Sequence, residues 1–236
     1  MATLTPKKLE IQQRGDRILA IARSMIIDEG YHGLNMDRIA EQLEISKGTI
    51  YNHFSCKEEI IIALAIQSAE QRKALFQAAA QFRGRSRFRM LAIGQADIRF
   101  FQQHLSHFEF ERMLRIPSIL EKTSEKRQSV MQMCEATCMQ IVGGIVRDAI
   151  SSGDLDLPES MSAEEVVFGL WSLHYGAQNI IASSENLEQI GLFKPIETMI
   201  SHTTMLLDGL GWLPLSSDFD EAAMIEQIHN EVLNDA

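Results

Sequence analysis

Between Asn35 and Lys57 the chain reads NMDRIAEQLEISKGTIYNHFSCK, an order of residues that few folds accommodate. Asn35 is a good N-cap, because its side-chain oxygen can accept from the unpaired backbone N–H groups of the next turn. Ile39, Ala40 and Leu43 then place apolar groups on one face at helical spacing. Glu44 and Ile45 make a short turn, after which Ser46 offers a second N-cap. The helix it starts carries Ile50 and Phe54 inward and leaves Lys47, Thr49, Tyr51, Asn52 and His53 outward. Two short helices joined tightly, the second polar on its outer face, predict a helix-turn-helix. The second helix of that motif enters the DNA major groove by its N-terminal end. A surface helix whose polar face merely meets water is the bland alternative, and the run KGTIYNHF weighs against it.

The run R-I-A-E-x-L-x-I-S-K-G-T-I-Y-N-H-F-x-x-K-E-E-I, from Arg38 to Ile60, closely resembles the DNA-binding signature of the tetracycline-repressor (TetR) family. The resemblance covers roughly residues 12–60, about a fifth of the chain. It departs from the family at Glu44, where glycine is common in the turn. A non-glycine residue held there at positive φ costs roughly 1 kcal/mol. The resemblance implies an all-α protein with an N-terminal three-helix head and a larger helical domain for regulation and dimerisation. It also implies a homodimer built on the last two main helices of each subunit. Lys47 and Thr49 have the chemistry to reach base edges, lysine donating to guanine and threonine packing on a thymine methyl. Gly48 lets the backbone approach closely, Ser46 serves as cap and phosphate donor, and Asn52 belongs to the polar face. Tyr51, His53 and Lys57 are carried over from the family pattern as phosphate clamps.

Charge refines this expectation. The formal net charge is −10, which taken alone argues against nucleic acid. Residues 1–57 hold eight Lys/Arg against seven Asp/Glu, whereas the remainder holds 14 against 25. The acidity lies outside the head, yet the head is no basic patch, so specific contacts must matter more than a general field. Three cysteines without framework spacing predict free thiols in a reducing compartment. The opening MATLTPKKLE has no apolar core and does not read as a signal peptide. Val166 to Ser184 lacks charge, but Ser172, His174, Gln178, Asn179 and Ser183 interrupt it, so a buried interface helix is expected in place of a membrane span. A cytoplasmic protein is the corresponding expectation.

Along the chain, residues 1–11 read as a mobile arm and Gln12 to Glu29 as a first helix that Gly30 stops. Cys56 to Phe82 reads as a connecting helix that supports the head and links it to the next domain. Arg83-Gly84-Arg85-Ser86 breaks the pattern, and helices follow over Arg87–His104, Leu105–Pro117 and Ser124–Ser152, with Pro117 terminating or bending the second. Gly143 and Gly144 inside the third predict a kink or a close helix contact. Ser162 with Glu165 is a capping-box spacing that opens a helix to about Ser184. Pro195 opens the last long helix, which runs to about Gly209. These two helices carry few charges, and a helix apolar nearly all round must be buried on both sides. A second copy of the chain is the natural partner, with Gly169, Leu173, Gly176, Ile180, Ile200, Thr203 and Leu207 at the expected interface. Residues 216–236 hold six acidic residues and no Lys or Arg, and read as an extra amphipathic helix or an acidic tail, the helix favoured. The domains are therefore 1–55 (arm and head), 56–215 (ligand binding and dimerisation) and 216–236.

No nucleophile–base pair, phosphate loop or acidic pair suggests catalysis, and no cofactor is expected. His104, His107 and Glu111 have a metal-like spacing but read better as structural. Cys134 and Cys138, one turn apart, sit too far apart for an unstrained disulfide. Methionines and aromatics, with a few polar anchors, suit an apolar effector as well as they suit ordinary core. The candidates are Phe100, Phe101, His104, Met113, Met131, Cys134, Cys138, Trp171, His174, Tyr175 and Gln178, with Met133 in the same set. The expected partners are double-stranded DNA with a palindromic operator, a second copy, and a small effector. The competing readings are a helical carrier or enzyme with a vestigial head, and a DNA-binding regulator controlled by a protein partner.

Overall fold

The computed structural model describes residues 5–184 and 186–233. The first four residues of the expected arm and the last three of the expected tail lie outside that range. Among the described residues all regular structure is helical, with no strand, which is the all-α class read from the sequence. The chain divides into two compact units, one of residues 1–69 with 106–132, the other of residues 70–105 with 133–236.

The first unit opens with α1 (Pro6–Gly33), which starts earlier than expected, so residues 6–11 of the anticipated arm are helical. Pro6 is suited to the first helical turn, and the Glu10–Arg14 pair one turn apart, at 2.6 Å, supports a stretch with no apolar face. Gly30 does interrupt the helix, at φ 68° and ψ −167°, and one further turn follows it to Gly33. Next come α2 (Met36–Gln42) and α3 (Lys47–His53). Ile18, Ala22 and Ile26 of α1, Ile39 of α2 and Ile50 of α3 form a core closed to solvent.

Helix α4 (Lys57–Ala79) begins in this unit and ends in the second. Its stretch Ile60–Ala65 is buried throughout. After α5 (Ser86–Gln103), which belongs to the second unit, the chain returns with α6 (Leu105–Leu114), α7 (Pro117–Leu120) and the first turns of α8 (Glu125–Ser152). The helix expected from Leu105 ends at Leu114, short of Pro117, and Pro117 then opens α7 at its first turn, a helix the sequence reading had not separated. The grouping of 106–132 with the head was not anticipated, because these residues read as part of the regulatory domain. Charge pairing binds them there. Arg127 pairs with the buried Glu59 and sits 5.0 Å over the ring of Phe54. Lys122 Nζ lies 3.1 Å from the buried Glu58, and Arg23 covers Phe110 at 5.3 Å.

In the second unit, α9 (Ala163–Ser183) and α10 (Pro195–Gly209) pack on each other. Their bounds fall where the capping box and the proline predicted. The Glu165 carboxylate accepts from the Ser162 backbone N–H at 2.6 Å while Ser162 Oγ accepts from the Glu165 N–H at 3.2 Å. The described part of the tail is largely helical, as favoured: α11 (Glu221–Ile228), packed on α5, runs into a wider turn over His229–Leu233. A buried polar node holds the start of α5. Trp212 Nε1 donates to Ser86 Oγ at 3.0 Å, and Arg87 donates to the Trp212 carbonyl and to Asp208, each at 2.8 Å. The glycine pair in α8 marks no close helix contact. A Cβ at Gly144 would meet nothing within 4 Å, and the space beside Gly143 is taken by the Arg147 guanidinium of the same helix. Among the described residues no helix is long and apolar enough to cross a membrane.

Candidate nucleic-acid interface and interior cavity

The geometry of the head follows from its caps. Asn35 Oδ1 accepts from the backbone N–H groups of Asp37 and Arg38, at 2.8 and 3.2 Å, and so fixes the start of α2. Ser46 Oγ accepts from the Thr49 N–H at 3.1 Å and fixes the start of α3. Between them Glu44 takes a positive φ of 53°, the left-handed conformation that the turn requires and that glycine would adopt without strain. Ile50 and Phe54 turn inward and are buried. Ser46, Lys47, Gly48, Tyr51 and Asn52 are exposed, while Thr49, His53 and Lys57 are partly so.

Two of the expected clamps share one feature. Tyr51 and Lys57 both line an open cleft of about 340 Å³, together with Asn35, Asp37, Ser55 and Glu58. Lys57 Nζ sits 3.8 Å from the centroid of the Tyr31 ring, and Tyr51 is half exposed. The N-terminal ends of α2 and α4 face this cleft, which favours an anion there. Glu58 does not cancel that preference. Burial pushes its carboxyl up, but hydrogen bonds from Tyr31 at 2.8 Å and Lys122 at 3.1 Å outweigh this and hold it at about 2. Its charge is thus answered from within. Tyr31 is pushed up to about 12, by burial first and then by Glu58, and stays a donor.

Two details lay beyond the sequence reading. Lys47 Nζ pairs with Asp37 at 2.5 Å, both side chains well exposed, so the base-edge contact expected of Lys47 would compete with that carboxylate. Burial and the nearby Arg14 lower the pKa of His53. A neutral imidazole can donate one N–H to a phosphate without carrying charge; the guanidinium of the nearby Arg14 is itself paired with Glu10 at 2.6 Å.

The second unit contains a small, partly open cavity of about 80 Å³ between α4, α5, α8, α9 and α10. Its apolar wall includes Phe76, Met90, Ile93, Val142, Val167 and Leu170, and its polar side holds Arg72, Asp97, His174 and Thr203. Of the sequence candidates, Cys138, Trp171 and His174 line it. Gln178 stands behind Asp97, donating to Oδ2 at 2.6 Å, and Tyr175 packs on Trp171 with centroids 5.9 Å apart. Phe100 lies under the Arg72 guanidinium at 5.5 Å, with His104 against it at 5.0 Å, and Phe101 is buried. Cys134 donates to Glu70 at 3.1 Å. Met113 and Met131 are buried in the first unit, and Met133 is exposed. Burial pushes the Cys138 thiol up, and burial with Glu70 pushes Cys134 to about 11, so neither thiol is poised as a thiolate. Arg72, Asp97 and Thr203 were missed as cavity residues. A signal existed for Arg72, which continues the buried stripe Leu64, Ser68, Phe76 at one-turn steps. A cation on an apolar stripe usually has a purpose.

At the outer face of α9 and α10, Phe168, Trp171, Ile180 and Met205 are exposed. Gly169, Leu173, Gly176, Ile200 and Thr203 are partly exposed, and Leu207 is buried in the chain's own core. His174 reaches Thr203 Oγ1 at 3.0 Å, so Thr203 also faces inward.

Known proteins resemble the chain in two ways. Residues 18–64 match the model of the bacterial regulatory proteins of the tetR family. The transcriptional regulator UidR of Escherichia coli K12 is 38% identical over 68 residues, 29% of this chain and 35% of UidR. The chain thus spans about a third of the first relatives it matches. The fatty acid metabolism regulator protein of Bacillus subtilis is 22% identical over 185 residues, 74% of this chain and 91% of that protein. The fold matches the TetR family transcriptional regulator PfmR of Thermus thermophilus at a TM-score of 0.60 and 16% identity, covering 82% of this chain and 98% of PfmR. A capped helix-turn-helix with a polar outer face and a matching family model over it make one case: residues 18–64 form a head similar to that of the tetR family of bacterial regulatory proteins.

Proposed function

We propose that the chain is a DNA-binding transcriptional regulator, a homodimeric repressor that holds a palindromic operator and is released by a small apolar or amphipathic effector. The observation that carries DNA binding is the cleft shared by Tyr51 and Lys57 at the foot of α3, set against two helix N-termini. In this reading Lys47 and Thr49 address base edges, Gly48 allows close approach, and Ser46, Asn52 and His53 join the clamps on phosphate. Two copies, paired through the outer faces of α9 and α10, would present two such helices to successive major-groove faces. The exposed apolar side chains on those helices support the pairing. The interior cavity supports an effector, since ligand sites are concave and mostly apolar with a few polar anchors. The naming of the B. subtilis relative as a fatty acid metabolism regulator is in keeping with an apolar effector. Helix α4 contributes to both units and is the element through which an effector would act. A hundredfold release needs about 2.7 kcal/mol of difference in affinity between the two states.

Fluorescence anisotropy against an operator enriched from random DNA tests the reading. The wild type should enrich a palindrome. Replacing Tyr51 and Lys57 by alanine should weaken binding at least about tenfold and flatten its salt dependence. Unchanged binding by the double variant would remove the cleft from the account, and failure to enrich any sequence would favour the carrier reading.

A further inference from the structure

Arg72 projects from the last turns of α4 into the wall of the interior cavity. Its surroundings are poor in acceptors. The guanidinium lies over the face of Phe100 at 5.5 Å and against the Cys138 thiol, neither of which offers an oxygen. Its Nε is buried without a hydrogen-bond partner, and among the described residues no carboxylate stands at ion-pair distance from it. The nearby carboxylate, Asp97, is engaged elsewhere. Its Oδ2 accepts from His174 Nδ1 at 2.8 Å and from Gln178 Nε2 at 2.6 Å. A planar donor fork beside an apolar chamber, lacking an acceptor of its own, is the complement of a carboxylate joined to a hydrocarbon body.

Resting on the reading of this cavity as the effector site, we propose that its ligand is a monocarboxylic acid whose carboxylate is held by Arg72. The hydrocarbon body lies against Met90, Ile93, Val142 and Leu170 and points toward Trp171. Trp171, Met139 and Val167 also border a surface groove containing Phe168 and Arg147. Asp97 sets the selectivity, because a second anionic group near it would be repelled. It stays ionised: burial pushes its carboxyl up, but His174, Arg72 and Gln178 outweigh this and hold it below the usual range.

The full-length protein can be titrated with hexanoate, octanoate and decanoate, with decanol and decyltrimethylammonium as neutral and cationic controls. Tryptophan fluorescence is the readout. Trp171 lines the cavity while Trp212, the second tryptophan, is fully buried elsewhere, so the signal belongs to the site. At least one carboxylate should bind about tenfold or more tighter than both controls. Arg72→Met should lose that preference while binding decanol as before, and Arg72→Lys should retain part of it. Because Arg72 Nε is unsatisfied in the folded chain, Arg72→Met should melt no lower than the wild type. Equal binding of all the decyl probes, a preference for the ammonium, no binding of any carboxylate, or a folded Arg72→Met that still prefers carboxylates would each overturn the proposal. Carboxylate binding through Arg72 with no change in operator affinity would uphold the ligand class and refute release by it.

Discussion

At the scale of single residues, Glu58 shows how the head holds a buried charge. It is buried at the start of α4, with Tyr31 and Lys122 donating to the same oxygen. A carboxyl held at about 2, against an ordinary value of 4.5, contributes stability that is fully present above pH 4.5 and is lost as pH falls toward 2. Glu58→Gln should therefore destabilise the protein by about 1–2 kcal/mol at neutral pH. The gap to the wild type should close below pH 4.5, as followed by urea unfolding across that range. A gap independent of pH would mean that packing, and not charge, sets the cost. Residues of this kind divide by visibility. The placement of Ser46, Lys47, Thr49 and Tyr51 on one polar face was legible because it follows from position in one short helix. Glu58 acts through Tyr31 and Lys122, 27 and 64 residues away, and no local pattern names such partners.

At the scale of elements, the caps made the helices readable. Asn35, Ser46, Ser162 and Pro195 each sit at the helix start they predicted. The turn between α2 and α3 carries a cost of its own. Glu44 sits there at φ 53°, exposed, with no packing to offset the strain. Glu44→Gly should stabilise the protein by up to about 1 kcal/mol, since relieved strain slightly exceeds the added freedom of the unfolded chain. Thermal denaturation checks this, and a lower melting temperature would show that the glutamate makes a stabilising contact. Start and stop signals were less reliable where a helix needed no apolar face. The first turns of α1 hold by propensity and a surface ion pair, which a search for periodic apolar residues passes over.

At the scale of the whole molecule, the proposed dimer can be probed without disturbing the single chain. A Cβ at Gly176 would meet nothing within 4 Å, so Gly176→Leu should leave the fold intact. On the proposed α9–α10 face it should weaken association by about tenfold or more, because added bulk in a close helix contact cannot be absorbed. Sedimentation at micromolar concentration should show wild-type dimer and variant monomer. A variant that stays dimeric would place the interface elsewhere. Weakened operator binding should accompany dissociation, since a head with eight basic and seven acidic residues cannot rely on general attraction.

By itself the sequence determined what is local: an all-α chain, the head with its recognition helix, and the bounds of α9 and α10. Helical period, caps and breakers act over three or four residues, and they are written in the order of the chain. The tertiary structure alone decided what is distant. It brought residues 106–132 to the head through Glu58 and Glu59. It also set Asp97 against His174, 77 residues away, leaving Arg72 beside an apolar cavity without an acceptor of its own. Such convergence depends on how helices pack, and a period of 3.6 residues tells which face is buried without telling what it will meet.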